Sequence, residues 1–129
     1  MQVSTNVSLN YTLIVMGPVY GTQQSYLAYQ FASELVTTKH AIKQIFFYAD
    51  GVTNANLFTC PANDEFDLRS AWLQLAHNFD ISLVICTSAG LRRGIIQDEK
   101  GNNIADGFQA NGLTALSEAI AVSDRVITF

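Results

Sequence analysis

Short apolar segments that favour strands alternate along this chain with segments of helical periodicity. The strand-like segments include "YTLIVM", "IFFY", "ISLVIC" and "RVITF", and most of them end at turn-forming residues. Their almost continuous apolar character is typical of strands that are buried on both faces, as in parallel sheets. The alternation predicts an α/β fold with three layers, in which helices cover both faces of a mostly parallel sheet of about five strands.

The intervening segments predict three main helices, each with an apolar row that marks its buried face. These rows are Leu27, Phe31 and Leu35 in the first helix, Leu68, Trp72 and Leu75 in the second, and Leu113, Leu116 and Ile120 in the last. Thr22 is a plausible N-cap of the first helix, which has about 16 residues, and either Asp64 or Asp67 is expected to cap the second.

The length of 129 residues corresponds to one ordinary domain. Residues 10–129 carry the strand and helix patterns and are predicted to form that single domain. Residues 1–9 are polar and without periodicity, which predicts a disordered extension.

Composition excludes several classes of function. The net charge is −4 and no basic cluster is present, which argues against direct binding of nucleic acid. No apolar run approaches the roughly 20 residues of a membrane span, and the polar start does not look like a signal peptide, so a cytoplasmic location is expected. Cys60 and Cys86 form no CxxC pair, and His40 and His77 stand apart from other ligands, so no metal site is predicted.

Three polar segments directly follow predicted strands. They are "GPVYGTQQ", "DGVTNANLFTCPANDEF" and "CTSAGLRRG". Because ligands of open parallel sheets bind beyond the carboxyl ends of the strands, we expect the functional residues of all three segments on one side of the molecule.

Cys86 is the candidate catalytic nucleophile. It ends a strand, residues 87–90 after it are small, and Arg92 and Arg93 follow. A thiolate is stabilised by a helix N-terminus or by nearby cations. We therefore expect residues 87–90 to keep the sulfur accessible and the arginines to favour the anion or to dock a partner. The alternative is a structural core cysteine, since free cysteines are often buried, and position alone slightly favours that alternative.

Other candidate residues have simpler structural explanations. Cys60 in "FTCPAN" is either an incidental loop thiol or a second thiol that carries sulfur. The carboxylates of "NDEFD" fit helix caps better than an acid–base pair. "GPVYGTQQ" lacks both common phosphate-binding consensus patterns and fits a tight turn. His40 and His77 are expected at the C-terminal ends of helices.

Several long segments, in the same order, resemble the DsrE/TusD-like family of sulfurtransferases. These segments are "GPVYGTQQSYLAYQFA", "IFFYADGVTNAN", "PANDEFDLRSAWLQL", "ICTSAGLRRG" and "GFQANGLTALSEAIAVSDRVITF". The resemblance extends from Tyr11 to Phe129. It implies the DsrEFH-like fold and identifies Cys86 with the active cysteine of the family, whereas Cys60 matches no functional cysteine. This reverses the balance for Cys86 in favour of a sulfur carrier.

The resemblance implies a relay in which sulfur travels as a cysteine persulfide. Family members form a dimer of heterotrimers with TusB-like and TusC-like subunits. Sulfur comes from a TusA-like donor and leaves to a TusE-like acceptor, towards 2-thiouridine at the tRNA wobble position. No cofactor, metal or direct nucleic-acid contact is implied.

Three alternatives stay open. The charged fraction of only 14% suits a non-catalytic subunit whose role is assembly. Related proteins also serve dissimilatory sulfur oxidation. A small-ligand binder of the nucleotide type rests on fold analogy alone.

Overall fold

A computed structural model of the protein describes residues 7–129. Most of the predicted extension over residues 1–9 therefore lies outside the described residues. The strands are β1 (Asn10–Val15), β2 (Ala41–Phe47), β3 (Ser82–Cys86), β4 (Gln97–Asp98), β5 (Gly101–Asn102), β6 (Phe108–Asn111) and β7 (Arg125–Thr128). The helices are α1 (Gln24–Leu35), α2 (Leu68–Phe79), α3 (Thr87–Leu91) and α4 (Leu113–Ala121), with a 3₁₀ segment at Ala49–Ala55. Over this described part of the chain, no helix has both the length and the apolar character needed to cross a membrane.

Five strands form one sheet in the order β6-β3-β2-β1-β7. All neighbouring pairs in it are parallel. Strands β4 and β5 form a separate antiparallel hairpin. The prediction of an α/β fold with a mostly parallel sheet of about five strands is confirmed.

The order of the strands places the helices on both faces of the sheet. The chain steps in one direction from β1 to β2 to β3, so right-handed crossovers put α1 and α2 on the same face, where the two helices contact each other. It then crosses back from β6 to β7 through α4, which lies on the opposite face. Just after α4, the hydroxyl of Ser123 lies 2.7 Å from that of Thr12 on β1.

The core between the sheet and α2 is built around Trp72, which has no exposed surface. Its ring meets that of Phe47 at 5.3 Å and that of Tyr29 at 5.4 Å, both edge to face. Such geometries are the favoured ones for aromatic pairs. The predicted buried face of α2 is confirmed.

The ends of the helices agree with prediction only in part. Helix α1 is 12 residues long, shorter than predicted, and its N-cap is Gln23 instead of Thr22. Helix α2 is capped by Asp67, whose carboxylate accepts the backbone N–H of Ser70 at 3.1 Å. This hydrogen bond is the main cause of a lowered pKa for Asp67.

The buried face of α1 consists mostly of small residues. They are Ser25, Ala28, Ala32 and Leu35. Phe31 packs partly against the core, but Leu27 is 50% exposed, so the predicted row is wrong at its first position. Small side chains allow the helix to lie close to the sheet, and a pattern built on large apolar residues does not reveal such a face.

Helix α4 buries few of its side chains against the sheet. Ala119 is its buried residue and Leu116 packs partly against the core, whereas Leu113 and Ile120 are exposed. The predicted row of α4 is therefore mostly wrong. Because one short helix covers this face, a groove of about 380 Å³ stays open beside it, above β2, β3 and β6.

Asn54 connects the loops at the carboxyl ends of the strands to the two helices below them. Its side chain is fully buried. Its Oδ1 accepts the hydroxyl of Ser25 at 2.8 Å and the indole N–H of Trp72 at 3.1 Å. Its Nδ2 donates to the carbonyls of Gly51 at 2.9 Å and Gly17 at 3.3 Å. Every hydrogen-bonding group of the buried amide therefore has a partner.

Asn54→Ala should lower the free energy of unfolding by about 3 kcal/mol, because it leaves several buried polar groups without partners. Urea denaturation followed by Trp72 fluorescence measures the change. Asn63→Ala, at an exposed loop position, is the matched control and should change stability by less than about 0.5 kcal/mol. Equal stability of the two variants would show that the Asn54 amide does not hold the loops.

Candidate functional site

The segments that follow β1, β2 and β3 meet at the carboxyl edge of the sheet, as the sequence predicts. The backbone N–H of Val19, after β1, donates to the hydroxyl of Thr53, after β2, at 2.9 Å. The guanidinium of Arg93, after β3, pairs with the carboxylate of Asp50, also after β2, at 2.9 Å. The candidate residues are thereby brought to one side of the molecule.

Cys86 is the last residue of β3 and directly precedes α3. It shares the α4 face of the sheet with Val84 and stands in register with Asn111 of β6. Its sulfur lies 3.4 Å from the hydroxyl oxygen of Ser88. The residue is only 1% exposed, so the prediction of an accessible sulfur is wrong for the described chain. The reason is the strand order, since β3 lies inside the sheet between β2 and β6.

The small residues after Cys86 serve packing more than access. Thr87 and Ser88 are exposed, but Ala89 and Gly90 are buried. A Cβ atom on Gly90 would lie 2.6 Å from the carbonyl oxygen of Ile95. Glycine is therefore required for α3 to pack against the chain that follows it.

Arg93 braces α3. Besides its ion pair with Asp50, it donates to the carbonyl of Ala89 at 3.0 Å. These contacts join α3 to the 3₁₀ segment, so Arg93 holds the position of the helix instead of contacting the sulfur. Arg92 is exposed, and docking of a partner stays a prediction for it.

A cavity of about 250 Å³ lies between α3 and the β4–β5 hairpin. Thr87 and Leu91 of α3 form one wall, and residues 96–98 form part of the other. The side of α3 that faces the hairpin is therefore not closely packed.

Cys60 is an exposed free thiol in the loop before α2. Arg69 holds this loop by donating to the carbonyl of Thr59 at 2.8 Å. Nearby, the hydroxyl of Tyr20 donates to the carboxylate of Glu65 at 2.8 Å, and this hydrogen bond raises the pKa of Tyr20. Both interpretations of Cys60 stay open.

Of the acidic residues before α2, Asp67 caps the helix, in line with prediction, whereas Glu65 stabilises the preceding turn. Glu65 accepts the backbone N–H of Ala62 at 2.6 Å, and Asp67 caps the helix. His77 lies in the last turn of α2, as predicted. The prediction for His40 is wrong, because α1 ends at Leu35 and His40 directly precedes β2, where its Nδ1 accepts the backbone N–H of Leu9. Among residues 7–129, no three potential ligands gather into a group that would hold a metal ion.

Asp50, Thr53 and Asn54 were not singled out from the sequence, although they organise this edge. Their only signal is a polar stretch, "DGVTNAN", that is long for a connection. Turn-forming residues such as asparagine are normally solvated, and only the tertiary structure shows that Asn54 is buried.

Comparison with a solved structure supports the fold. The YchN protein of Escherichia coli superposes with a TM-score of 0.72 over 94% of this chain and 99% of YchN. The two are 18% identical, so this similarity concerns the fold alone.

Sequence comparison identifies the family. Sulfurtransferase TusD of Photorhabdus laumondii is 47% identical, over 95% of this chain and 98% of the relative. The TusD homolog of Vibrio vulnificus is 46% identical with the same coverage, and TusD of Buchnera aphidicola is 47% identical over 94% of this chain and 100% of the relative. These similarities confirm the prediction of a sulfurtransferase. The profile of the DsrE/DsrF-like family matches residues 10–129, and the chain belongs to this family.

Proposed function

We propose that this protein carries sulfur as a persulfide on Cys86 and passes it from one partner protein to another. The observation that carries the proposal is the position of Cys86, at the carboxyl end of β3 and directly before α3, in a chain of a sulfurtransferase family. The hydroxyl of Ser88, 3.4 Å from the sulfur, is placed to donate a hydrogen bond to a thiolate there.

The proposed step is a redox-neutral exchange. The thiolate of Cys86 attacks the terminal sulfur of a donor persulfide, so that a new S–S bond forms to Cys86 while the donor S–S bond breaks. The bonding electron pair leaves with the donor, which departs as a thiolate. Delivery repeats the step with Cys86 as the leaving group. Neither step needs an external oxidant or reductant.

Transfer requires a movement that exposes the sulfur. In-line attack brings the reacting sulfurs into contact, and a residue that is 1% exposed does not allow this. Helix α3 is the element to move, because the cavity of about 250 Å³ beside it leaves room. The Asp50–Arg93 pair that helps to hold it is partly solvated, and exposed pairs contribute only about 0.2–1 kcal/mol.

We propose TusB-like and TusC-like subunits as partners in a dimer of heterotrimers, with a TusA-like donor and a TusE-like acceptor. The destination is 2-thiouridine at the tRNA wobble position, in the cytoplasm. Relatives named sulfurtransferase TusD support the transfer of sulfur, which is the chemistry that this relay needs. The net charge of −4 also suits contact with proteins better than contact with tRNA.

The burial of Cys86 favours a second candidate function, a non-catalytic subunit that serves assembly. In that case the thiol is a packed core residue of β3, in line with the general preference of free cysteines. A role in dissimilatory sulfur oxidation would use the same chemistry with another destination for the sulfur.

Cys86→Ser should abolish the uptake of one sulfur atom when the protein is incubated with a persulfide donor, because the accepting thiolate is lost. Intact-mass spectrometry followed by peptide mapping locates the added sulfur. Cys60→Ser is the matched control and should retain the adduct on Cys86. Undiminished sulfur uptake by Cys86→Ser would disprove the assignment.

Cys86 should react with a thiol reagent much more slowly than the exposed Cys60, because a movement of α3 must come first. Asp50→Asn weakens the ion pair with Arg93 that helps to hold α3. It should accelerate the modification of Cys86 roughly two- to fivefold without changing the rate at Cys60. Asp106→Asn, another exposed position, is the control and should leave both rates unchanged. If Cys86 reacts at the same rate in both variants, α3 is not the barrier.

In cells, Cys86→Ser at normal protein levels should remove 2-thiouridine from tRNA, measured by mass spectrometry of tRNA nucleosides. The physical reason is that the relay loses its carrier while the fold keeps its packing. Normal 2-thiouridine in this variant, with loss in a deletion strain, would instead support the assembly subunit. Normal 2-thiouridine in both strains would point to another destination for the sulfur.

A further inference from the structure

We propose that the outer edge of β6 pairs antiparallel with β6 of a second copy of this chain, which joins the two five-stranded sheets into one. This interaction surface goes beyond the proposed sulfur transfer and does not depend on it.

The outer side of β6 is an open edge. Within the described residues, β6 has a strand neighbour only on the side of β3. Every second residue of such a strand directs its N–H and C=O groups outward, where they have no partner strand. A groove of about 490 Å³ runs along residues 106–111, and Gln97 is the one lining residue from elsewhere in the chain. A further strand has room to add there.

The two edges of the sheet differ in how they discourage pairing. Natural edges are often protected by charged side chains, proline or bulges. Strand β7 contains Arg125, but β6 reads Phe-Gln-Ala-Asn, between Gly107 and Gly112, without charge or proline. The groove beside α4 also borders Gln109 and Asn111, so open space surrounds this strand on two sides.

The side chains of β6 are complementary to themselves, which favours a second copy as the occupant. Residues directly opposite in an antiparallel pair point to the same face, so a two-fold axis has to pass beside a residue and not between two. An axis beside Gln109 puts the Gln109 amides of the two copies opposite each other, where each can donate and accept. It puts Phe108, whose ring is buried in the core of its own chain, opposite Ala110 of the other copy, so the Gln109 pair is the main side-chain contact. No like charges meet, since Asp106 falls opposite Gly112.

This pairing leaves sulfur transfer possible. Asn111 is the register partner of Cys86, so the interface lies one strand away from the sulfur. Because the two β6 strands are antiparallel, the carboxyl edges of the two sheets point in opposite directions. Each Cys86 therefore keeps its own approach for donor and acceptor proteins.

The test is a charge swap at Gln109, which is exposed in the single chain and so tolerates substitution. Sedimentation velocity of the full-length wild-type chain should show a species of about twice 14.1 kDa. Gln109→Lys and Gln109→Glu should each weaken self-association at least about fivefold, because like charges meet at the two-fold axis. An equimolar mixture of the two variants should restore dimers, since opposite charges then face each other.

Gln74 is another exposed glutamine and lies on α2, away from β6, so Gln74→Lys is the matched control and should dimerise like the wild type. A wild-type chain that stays monomeric at about 100 μM would overturn the proposal and leave the edge to a strand of another protein. An assembly of any size whose dissociation constant is the same in both Gln109 variants would also overturn it, because the contact would then lie elsewhere. Recovery in the mixture excludes misfolding as the cause of the losses.

Discussion

The buried amide of Asn54 is the interaction on which the functional edge of this protein depends. A side-chain amide without solvent is tolerated only when its donors and acceptor are all satisfied, and here each one reaches a different part of the chain. Ser25 and Trp72 supply donors from the two helices of one layer, and Gly17 and Gly51 supply carbonyls from two of the loops. One side chain thereby sets the positions of the loops after β1 and β2 relative to both helices. The loop after β3 is connected to the loop after β2 separately, through the Asp50–Arg93 ion pair at the surface.

This difference in attachment has a chemical consequence for Cys86. The region around Asn54 is buried and resists change. Helix α3 buries only Ala89 and Gly90, and its link to the 3₁₀ segment includes an ion pair of Asp50 and Arg93 that water partly screens. A persulfide is a reactive group, and burial of its carrier at 1% exposure would shield it from water and stray thiols. A carrier that opens on contact with its partner would combine protection with transfer. The cavity between α3 and the hairpin provides the space for such an opening.

The two faces and two edges of the sheet are also unequal. Helices α1 and α2 cover one face of the sheet. The other face is covered by α4, a single helix whose Leu113 and Ile120 are exposed. A parallel sheet is stable when both faces are covered, so the open groove beside α4 marks the side of the molecule that is least complete as a single chain. The uncharged edge strand β6 borders the same groove. The two proposals, pairing through β6 and sulfur transfer on Cys86, therefore concern neighbouring strands, β6 and β3, of one sheet.

The sequence itself determined the parallel α/β sheet, the meeting of three loops at its carboxyl edge and an acidic cap of α2 at either Asp64 or Asp67, because strand and helix periodicity and cap chemistry are local signals. The buried faces of α1 and α4 were only partly readable, since alanines such as Ala28 and Ala119 give no strong apolar signal. The tertiary structure alone decided that Cys86 is enclosed and that Asn54 is buried. Both depend on which strands and loops become neighbours in space, and the strand order that puts β3 between β2 and β6 is a property of the whole chain that no local pattern carries.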